Sequence, residues 1–235
     1  MSTMERKTDS RERMKTSQLA AILFAFCMIL ATMTACDLFD DDDKDKDDPD
    51  NGGGGKSGQV EKAAIKYHTK YLATGIEMTI VNSFDSYYER ERVDAFSTEG
   101  GMSMQIINLF LHPAKEQWTY MPFLGWSKPA YNDLRKYNNV PFEKGMTLEA
   151  HLKKAGYTQQ GTKTVLGKEC KVWVGKQIDE LTKKQYNKKM GLWNDIPLYI
   201  EDDFEGGNIS TATDYTFNVP AKAFDRATIE VDWIK

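Results

Sequence analysis

From about Gln59 onward, apolar and polar residues alternate with a period of two along much of the chain, the pattern of strands with one face in a core. Ile76, Met78, Ile80 and Phe84 alternate with Glu77, Thr79, Val81 and Ser83, and then Tyr88, Arg90 and Arg92 with Glu89, Glu91 and Val93 in a more polar strand. Met104 to Leu111 reads as apolar on both faces, His112-Pro113-Ala114-Lys115 as a turn and Gln117-Trp118-Thr119-Tyr120 as the return, a hairpin expected at the centre of the sheet. The pattern breaks between Met121 and Pro141, where Pro122, Pro129 and Pro141 sit among Phe123, Trp126, Tyr131 and Tyr137. Thr147 can then cap a short helix to about Ala155, with Leu148, Leu152 and Ala155 on one face and Gly156 as the stop.

Strands resume at Thr164-Val165-Leu166, leading through Gly167 to Cys170, Val172 and Val174 on one face, with Lys171 and Trp173 on the other. Ile196 to Ile200 is expected to pair with Ile209 to Val219 across Gly206-Gly207, because Thr211, Thr213, Tyr215, Phe217 and Val219 alternate cleanly. Ile229, Val231 and Trp233 predict a last strand. No strand is followed by the long helix that a parallel crossover needs, so the expected fold is a single mainly β (α+β) domain over residues 59–235 built on an antiparallel sheet.

The N-terminal segments change this picture. Leu19 to Ala31 is uncharged and follows Arg13 and Lys15, the anatomy of a signal peptide spanning residues 1–35, with Met14 as an alternative start. From Leu19 to Ala35 a helix would run about 25 Å, short of the roughly 30 Å hydrocarbon core, which argues against a permanent span. Met33-Thr34-Ala35-Cys36 resembles the lipobox of bacterial lipoproteins, which implies a diacylglyceryl group and further acylation on Cys36 after cleavage. Met33 departs from the Leu usual there, whereas Thr34 and Ala35 supply the small residues that the peptidase needs. With Cys27 lost and Cys36 acylated, only Cys170 remains, and one thiol makes no intramolecular disulfide.

Residues 36–58 read as a tether. Residues 37–50 hold nine aspartates against Lys44 and Lys46, and Asn51-Gly52-Gly53-Gly54-Gly55-Lys56-Ser57-Gly58 follows. Self-repelling charge and then glycine describe a flexible spacer, with a random-coil span of about 26 Å. Asp40, Asp41, Asp42 and Asp43 resemble the acidic signal that sends Bacteroidetes lipoproteins to the outer face of the outer membrane. The net charge of −4 is concentrated in this run; residues 51–235 carry +1, which gives no support to nucleic-acid binding. Gly55-Lys56-Ser57 lacks the earlier glycine of a phosphate-binding loop, and Asp43, Asp45 and Asp47 lack the glycine and glutamate of a calcium loop.

A family resemblance comes from Val165-Leu166-Gly167-Lys168-Glu169-Cys170-Lys171-Val172-Trp173, from Gly191 with Ile196-Pro197-Leu198-Tyr199-Ile200, and from Phe217-Asn218-Val219-Pro220 with Phe224. These resemble the C-terminal half of uncharacterised Bacteroidetes surface lipoproteins, similar in turn to the LolA/LolB-like carriers and receptors that sort lipoproteins to the outer membrane. The resemblance implies a curved antiparallel half-barrel, closed by one or two short helices over an apolar cavity.

Chemistry is sparse. His68, His112 and His151 show no metal-ligand spacing and read as surface or core-edge residues. There is no Gly-x-Ser-x-Gly elbow, and Cys170 lies in a strand pattern. Glu89, Glu91, Glu201, Asp202 and Asp203 could supply a glycosidase pair, but charged strand edges and turns explain them equally well. The expectation is therefore a binding role without catalysis, cofactor or metal. Candidate ligand contacts are Trp118, Tyr120, Phe123, Trp126, Tyr131 and Tyr137, with Trp173 and Trp193 also beside strands, and Phe123 to Tyr137 as a lid. The expected partners are membrane lipid through acylated Cys36 and an apolar or amphipathic ligand; a surface interaction protein with no small-molecule site is the alternative.

Overall fold

The computed structural model describes residues 58–99, 102–131, 145–179 and 182–235. The expected signal peptide, Cys36, Asp40 to Asp43 and Tyr137 lie outside the described residues. Among the described residues, eleven strands form one antiparallel sheet: β1 (Ala63–Tyr71), β2 (Glu77–Asp85), β3 (Arg90–Glu99), β4 (Met102–Leu111), β5 (Glu116–Met121), β6 (Gly125–Ser127), β7 (Thr158–Val165), β8 (Lys168–Ile178), β9 (Gln185–Trp193), β10 (Ile196–Asp202) and β11 (Asn208–Thr216). Their spatial order is β6-β5-β4-β3-β2-β1-β11-β10-β9-β8-β7, an open sheet with β6 and β7 at its edges, in agreement with the expected mainly β class. Helix α1 (Leu148–Lys154) belongs to the connection between those two edges.

Two meanders, β1 to β6 and β7 to β11, meet where β1 pairs with β11, from Ala64↔Thr216 to Tyr71↔Asn208, with a bulge at Lys66/Tyr67. The hairpin expected at the centre, β4 and β5, lies beside the β6 edge instead, and the centre is β1, which was not among the expected strands. Ala63, Ile65, Tyr67 and Thr69 are buried on one face of β1 and Ala64 on the other, while His68 and Lys70 are exposed, so the strand alternates from Ile65 onward and its central place comes from pairing with both β2 and β11.

One face of the sheet carries α1. Leu148 and Leu152 pack on Trp173, Met190 and Leu192, and farther along Ile65, Tyr67, Phe84, Leu198 and Ala212 cluster with Tyr88. At position 173 the buried side is thus the one that Trp173 faces, not the one with Val172 and Val174, which are half-buried. Gly175 leaves room for the ring of Tyr157, whose Cγ would lie 2.4 Å from an added Cβ. Seven residues are too few for a stable isolated helix. Here the N-terminus is held by Thr147 Oγ1, accepting from Ala150 N at 3.1 Å, and by Asp195 Oδ1, accepting from Leu148 N at 2.7 Å.

The C-terminal segment, residues 217–235, covers the opposite face. Ile229, Val231 and Trp233 form no strand, contrary to their alternation, because carbonyls that a ladder would use go to Arg92. Arg92 is 1% exposed and all five of its N–H donors are used. Nε and Nη2 donate to Asp94 at 2.8 Å each, Nη1 donates to the carbonyls of Ala223 and Thr228 at 3.0 and 2.6 Å, and Nη2 also donates to Ile229 O at 3.0 Å. Gln105 Nε2 donates to Asp94 Oδ1 and to Ile229 O at 3.0 and 2.9 Å, and the Trp233 ring centroid lies 5.1 Å from the guanidinium. Burial is the largest influence on the Asp94 carboxyl and holds it above the usual range despite Arg92 and Gln105.

The chain enters β1 from Gly58 at one rim of the sheet, here the near rim. The turns β1–β2, β5–β6 and β10–β11, together with the end of β8, lie at the far rim.

Replacing Arg92 by Met strands a buried carboxylate and three carbonyls, so urea unfolding should report a loss of about 3–5 kcal/mol. Arg92→Met/Asp94→Leu should recover part of that loss. If the single variant keeps wild-type stability, the latch does not hold the segment.

Candidate functional site

Two clefts carry mixed side chains. The first, of about 350 Å³, lies between β3 to β5 and the C-terminal segment, lined by Arg90, Leu109, Leu111, Glu116 and Trp118 from the sheet and by Ala221, Phe224, Asp225 and Arg226 from the segment. Sheet periodicity puts Leu109, Leu111 and Trp118 on one face, and the Arg92 latch sets the segment over them. Trp118 is flanked by cations, with the Arg226 guanidinium 3.9 Å and Lys128 Nζ 5.0 Å from its ring centroid. Arg90 lies 5.0 Å from the Phe224 centroid and also pairs with Asp85. Glu116 bonds Lys128 at 2.5 Å and accepts from Trp118 Nε1 at 3.3 Å; the Lys128 contact, foremost, holds its carboxyl below the usual range.

The second cleft, of about 740 Å³, lies beside α1 and the β9–β10 turn and is charged, with Glu149 bridging Lys153 and Lys171 at 3.0 Å each. Asn194 and Asp195 form the turn, both with positive φ (47° and 61°). Burial foremost pushes the Asp195 carboxyl up to about 6, against the backbone N–H donors of Glu149, Leu148 and Val60. Trp193 lines this cleft, 4.9 Å from Lys168 Nζ and 5.2 Å from the Tyr215 ring.

Three sequence-predicted contacts converge. Trp118, Tyr120 and Trp126 share the face under the C-terminal segment; the Tyr120 and Trp126 rings are 5.5 Å apart, and Trp126 Nε1 donates to Arg226 O at 2.9 Å. The others do not join them. Phe123 is 90% exposed in the β5–β6 turn, Tyr131 Oη meets His112 Nδ1 at 2.7 Å, and Trp173 is buried beneath α1. Arg90, Phe224 and Arg226 escaped the ligand reading. Arg226 had no sequence signal, since it meets Trp126 only across 100 residues of chain.

His112 is buried, not at the core edge, with Nε2 3.8 Å from Glu91 Oε2. Glu91 also accepts from Asn82 at 3.0 Å and is itself fully buried. Glu201 accepts from Lys189 at 2.8 Å and from Tyr199, while Asp203 accepts from Asn187. The described residues contain no group of three or more His, Cys, Asp or Glu able to hold a metal ion. Cys170 is a buried free thiol that burial pushes up.

No protein-family model matches the chain, and no curated protein matches it. Among solved structures, the chain is similar to an uncharacterised conserved protein from Thermus thermophilus, at 11% identity and TM-score 0.42, covering 70% of this chain and 83% of that one. It is also similar to LprF from Mycobacterium bovis, at 11% identity and TM-score 0.37, over 68% and 88% of the two chains. A third is a β-barrel-like protein with a domain of unknown function from Brucella abortus, at 9% identity and TM-score 0.30, over 67% and 98%. These likenesses bring no function with them.

The Asp195 carboxyl yields a signed pH effect. Between about 4 and about 6 the folded protein keeps a proton that the unfolded chain has lost. This group therefore contributes most below about 4, less as pH rises to about 6, and a constant amount above. Urea midpoints should show wild type losing ground to Asp195→Asn across that window; a gap that does not change with pH overturns the assignment.

Proposed function

We propose that this chain is a lipoprotein of the outer membrane, anchored through acylated Cys36 and exported to the cell surface by Asp40 to Asp43, whose β domain binds an apolar or amphipathic ligand without catalysing a reaction. The observation that carries the ligand reading is the lining of the cleft beneath the C-terminal segment. Leu109 and Phe224 floor the cleft as buried side chains, half-buried Leu111 and Trp118 supply its apolar edge, and Arg90, Glu116, Asp225 and Arg226 make the rest of the lining polar, an arrangement suited to an amphipathic ligand with a charged or polar head. On this reading the ligand sits on the face opposite the one that α1 covers. The resemblance to the half-barrel lipoprotein-sorting carriers supports the same class of ligand, and the lipobox-like Thr34-Ala35-Cys36 supports the anchor.

A surface interaction protein with no small-molecule site is the second reading. The observation in its favour is that Ile65, Tyr67, Phe84, Tyr88 and Leu198 fill the middle of the α1 face with the chain's own side chains.

Native mass spectrometry and an apolar-dye titration of the purified protein should show bound ligand or saturable dye. Trp118→Ala should weaken that binding at least about tenfold while far-UV circular dichroism stays unchanged. A folded wild type that is empty and dye-silent supports the second reading.

The anchoring reading has its own readout. The N-terminal peptide should begin at Cys36 and carry acyl mass, and protease added to intact cells should remove the domain. An unmodified Cys36 sinks the anchor; resistance in intact cells with cleavage after lysis sinks the surface location.

A further inference from the structure

We propose that the far rim of the sheet, led by the β5–β6 turn, is a lipid-contacting surface that rests on a bilayer. Phe123 and Leu124 at the tip of this turn are 90% and 78% exposed, the two most exposed large apolar side chains among the described residues. The turn is well formed, with Leu124 N donating to Met121 O at 3.1 Å and Gly125 at φ +70°, so these side chains are held outward by an ordered hairpin. The chain carries no charged residue from Gln117 to Ser127. Tyr120 and Trp126 stand behind the tip with rings 5.5 Å apart, the amphipathic aromatics that favour the lipid–water boundary.

The same rim carries more of this character. Of the six exposed large apolar side chains among the described residues, Leu72, Phe123, Leu124 and Ile178 lie at the far rim, and Leu166 and Phe217 lie at the near rim. Leu72 belongs to the β1–β2 turn and Ile178 to the end of β8, so three separate elements present apolar tips at one end of the sheet. A protein partner of ordinary size would have to cover roughly 800 Å² per side, far more than isolated tips provide. A bilayer needs only that each tip reach the headgroup boundary, and it receives tips spread along a rim. The exposed charges at this rim, Lys70 paired with Glu77 at 3.1 Å, Lys183 and Lys184 before β9, and Asp203 and Glu205 in the β10–β11 turn, are of both signs and would stay at the headgroup level, so the contact is carried by the apolar tips.

Two membranes could supply this surface. The tether enters at the near rim, and its 22 residues reach at most about 75 Å when extended, more than twice the roughly 30 Å length of a nine-residue strand. The far rim can therefore meet either the membrane that holds the chain or one facing it.

The test uses the full protein purified from cells, with Phe123→Trp as reporter read as the difference from wild type, since Trp118, Trp126, Trp173, Trp193 and Trp233 also emit, and phosphatidylcholine vesicles brominated on the acyl chains. In one arm the protein is inserted into the brominated vesicles; in the other it sits in unlabelled vesicles and brominated ones are added. Bromine should quench the residue 123 reporter and shift its emission to the blue in the first arm for the anchoring membrane, or in the second for an apposed one. In the otherwise wild-type protein, the total tryptophan quenching in that arm should drop when Phe123→Ser/Leu124→Ser is introduced, with the contact equilibrium at least about tenfold weaker. Both serine positions are exposed, so circular dichroism should not change; Leu72→Ser tests the rim independently and should cause a smaller drop. A reporter unquenched in both arms overturns the proposal, as does quenching that the double serine variant leaves unaltered.

Discussion

A buried guanidinium organises one side of this domain. Arg92 lies in a strand where the opposite residue is Ser83, and its charge would be prohibitively costly there without Asp94 beside it and three carbonyls above it. Arg92 and Asp94 need those carbonyls and Gln105 to satisfy their remaining bonding capacity, and the C-terminal segment needs Arg92 to hold a path that is neither helix nor strand. The cleft over Trp118 follows from this exchange, because Phe224 and Arg226 close it only when the segment is seated.

The other side of the sheet is organised by a helix too short to stand alone. Its apolar face of Leu148 and Leu152 is matched to Trp173, Met190 and Leu192, and its N-terminal N–H groups are met by Asp195 from a different hairpin. The cap fixes where α1 sits along β9 and β10, so the charged cleft and the helix position have one cause. A polar set deeper in the sheet, Asn82, Glu91 and His112, gives the α1 face a mixed interior, unlike the uniformly apolar cavity that the half-barrel resemblance implied.

The alternation of β2, β3 and β11 and the capped helix after Thr147 were legible because their signals are local: a side chain points up or down every residue, and a cap lies three residues from the N–H it accepts. The antiparallel class followed from the lack of crossover helices. β1 and β9 were not among the expected strands: in β1 Ile65, Tyr67 and Thr69 do alternate with Lys66, His68 and Lys70, but a local pattern does not give its central place, and in β9 Lys188 is buried on the side of Met190 and Leu192 while Gly191 has no side chain, where a Cβ would lie 3.0 Å from Tyr199 Cβ.

Within the candidate site, Trp118, Tyr120 and Trp126 stood out because they cluster in sequence and share strand parity. The sequence by itself determined the mainly β class, the tether-like composition of residues 36–58 and that aromatic cluster. Only the tertiary structure decided that Ile229 to Trp233 would not be a strand, that Arg226 would lie on Trp118, and that Phe123 and Leu124 would face solvent with Leu72 and Ile178 at the same rim. Each of these depends on chain segments brought together over long separations. Periodicity says which residues share a face of one strand, but the order of strands and the burial of a charge decide what covers that face.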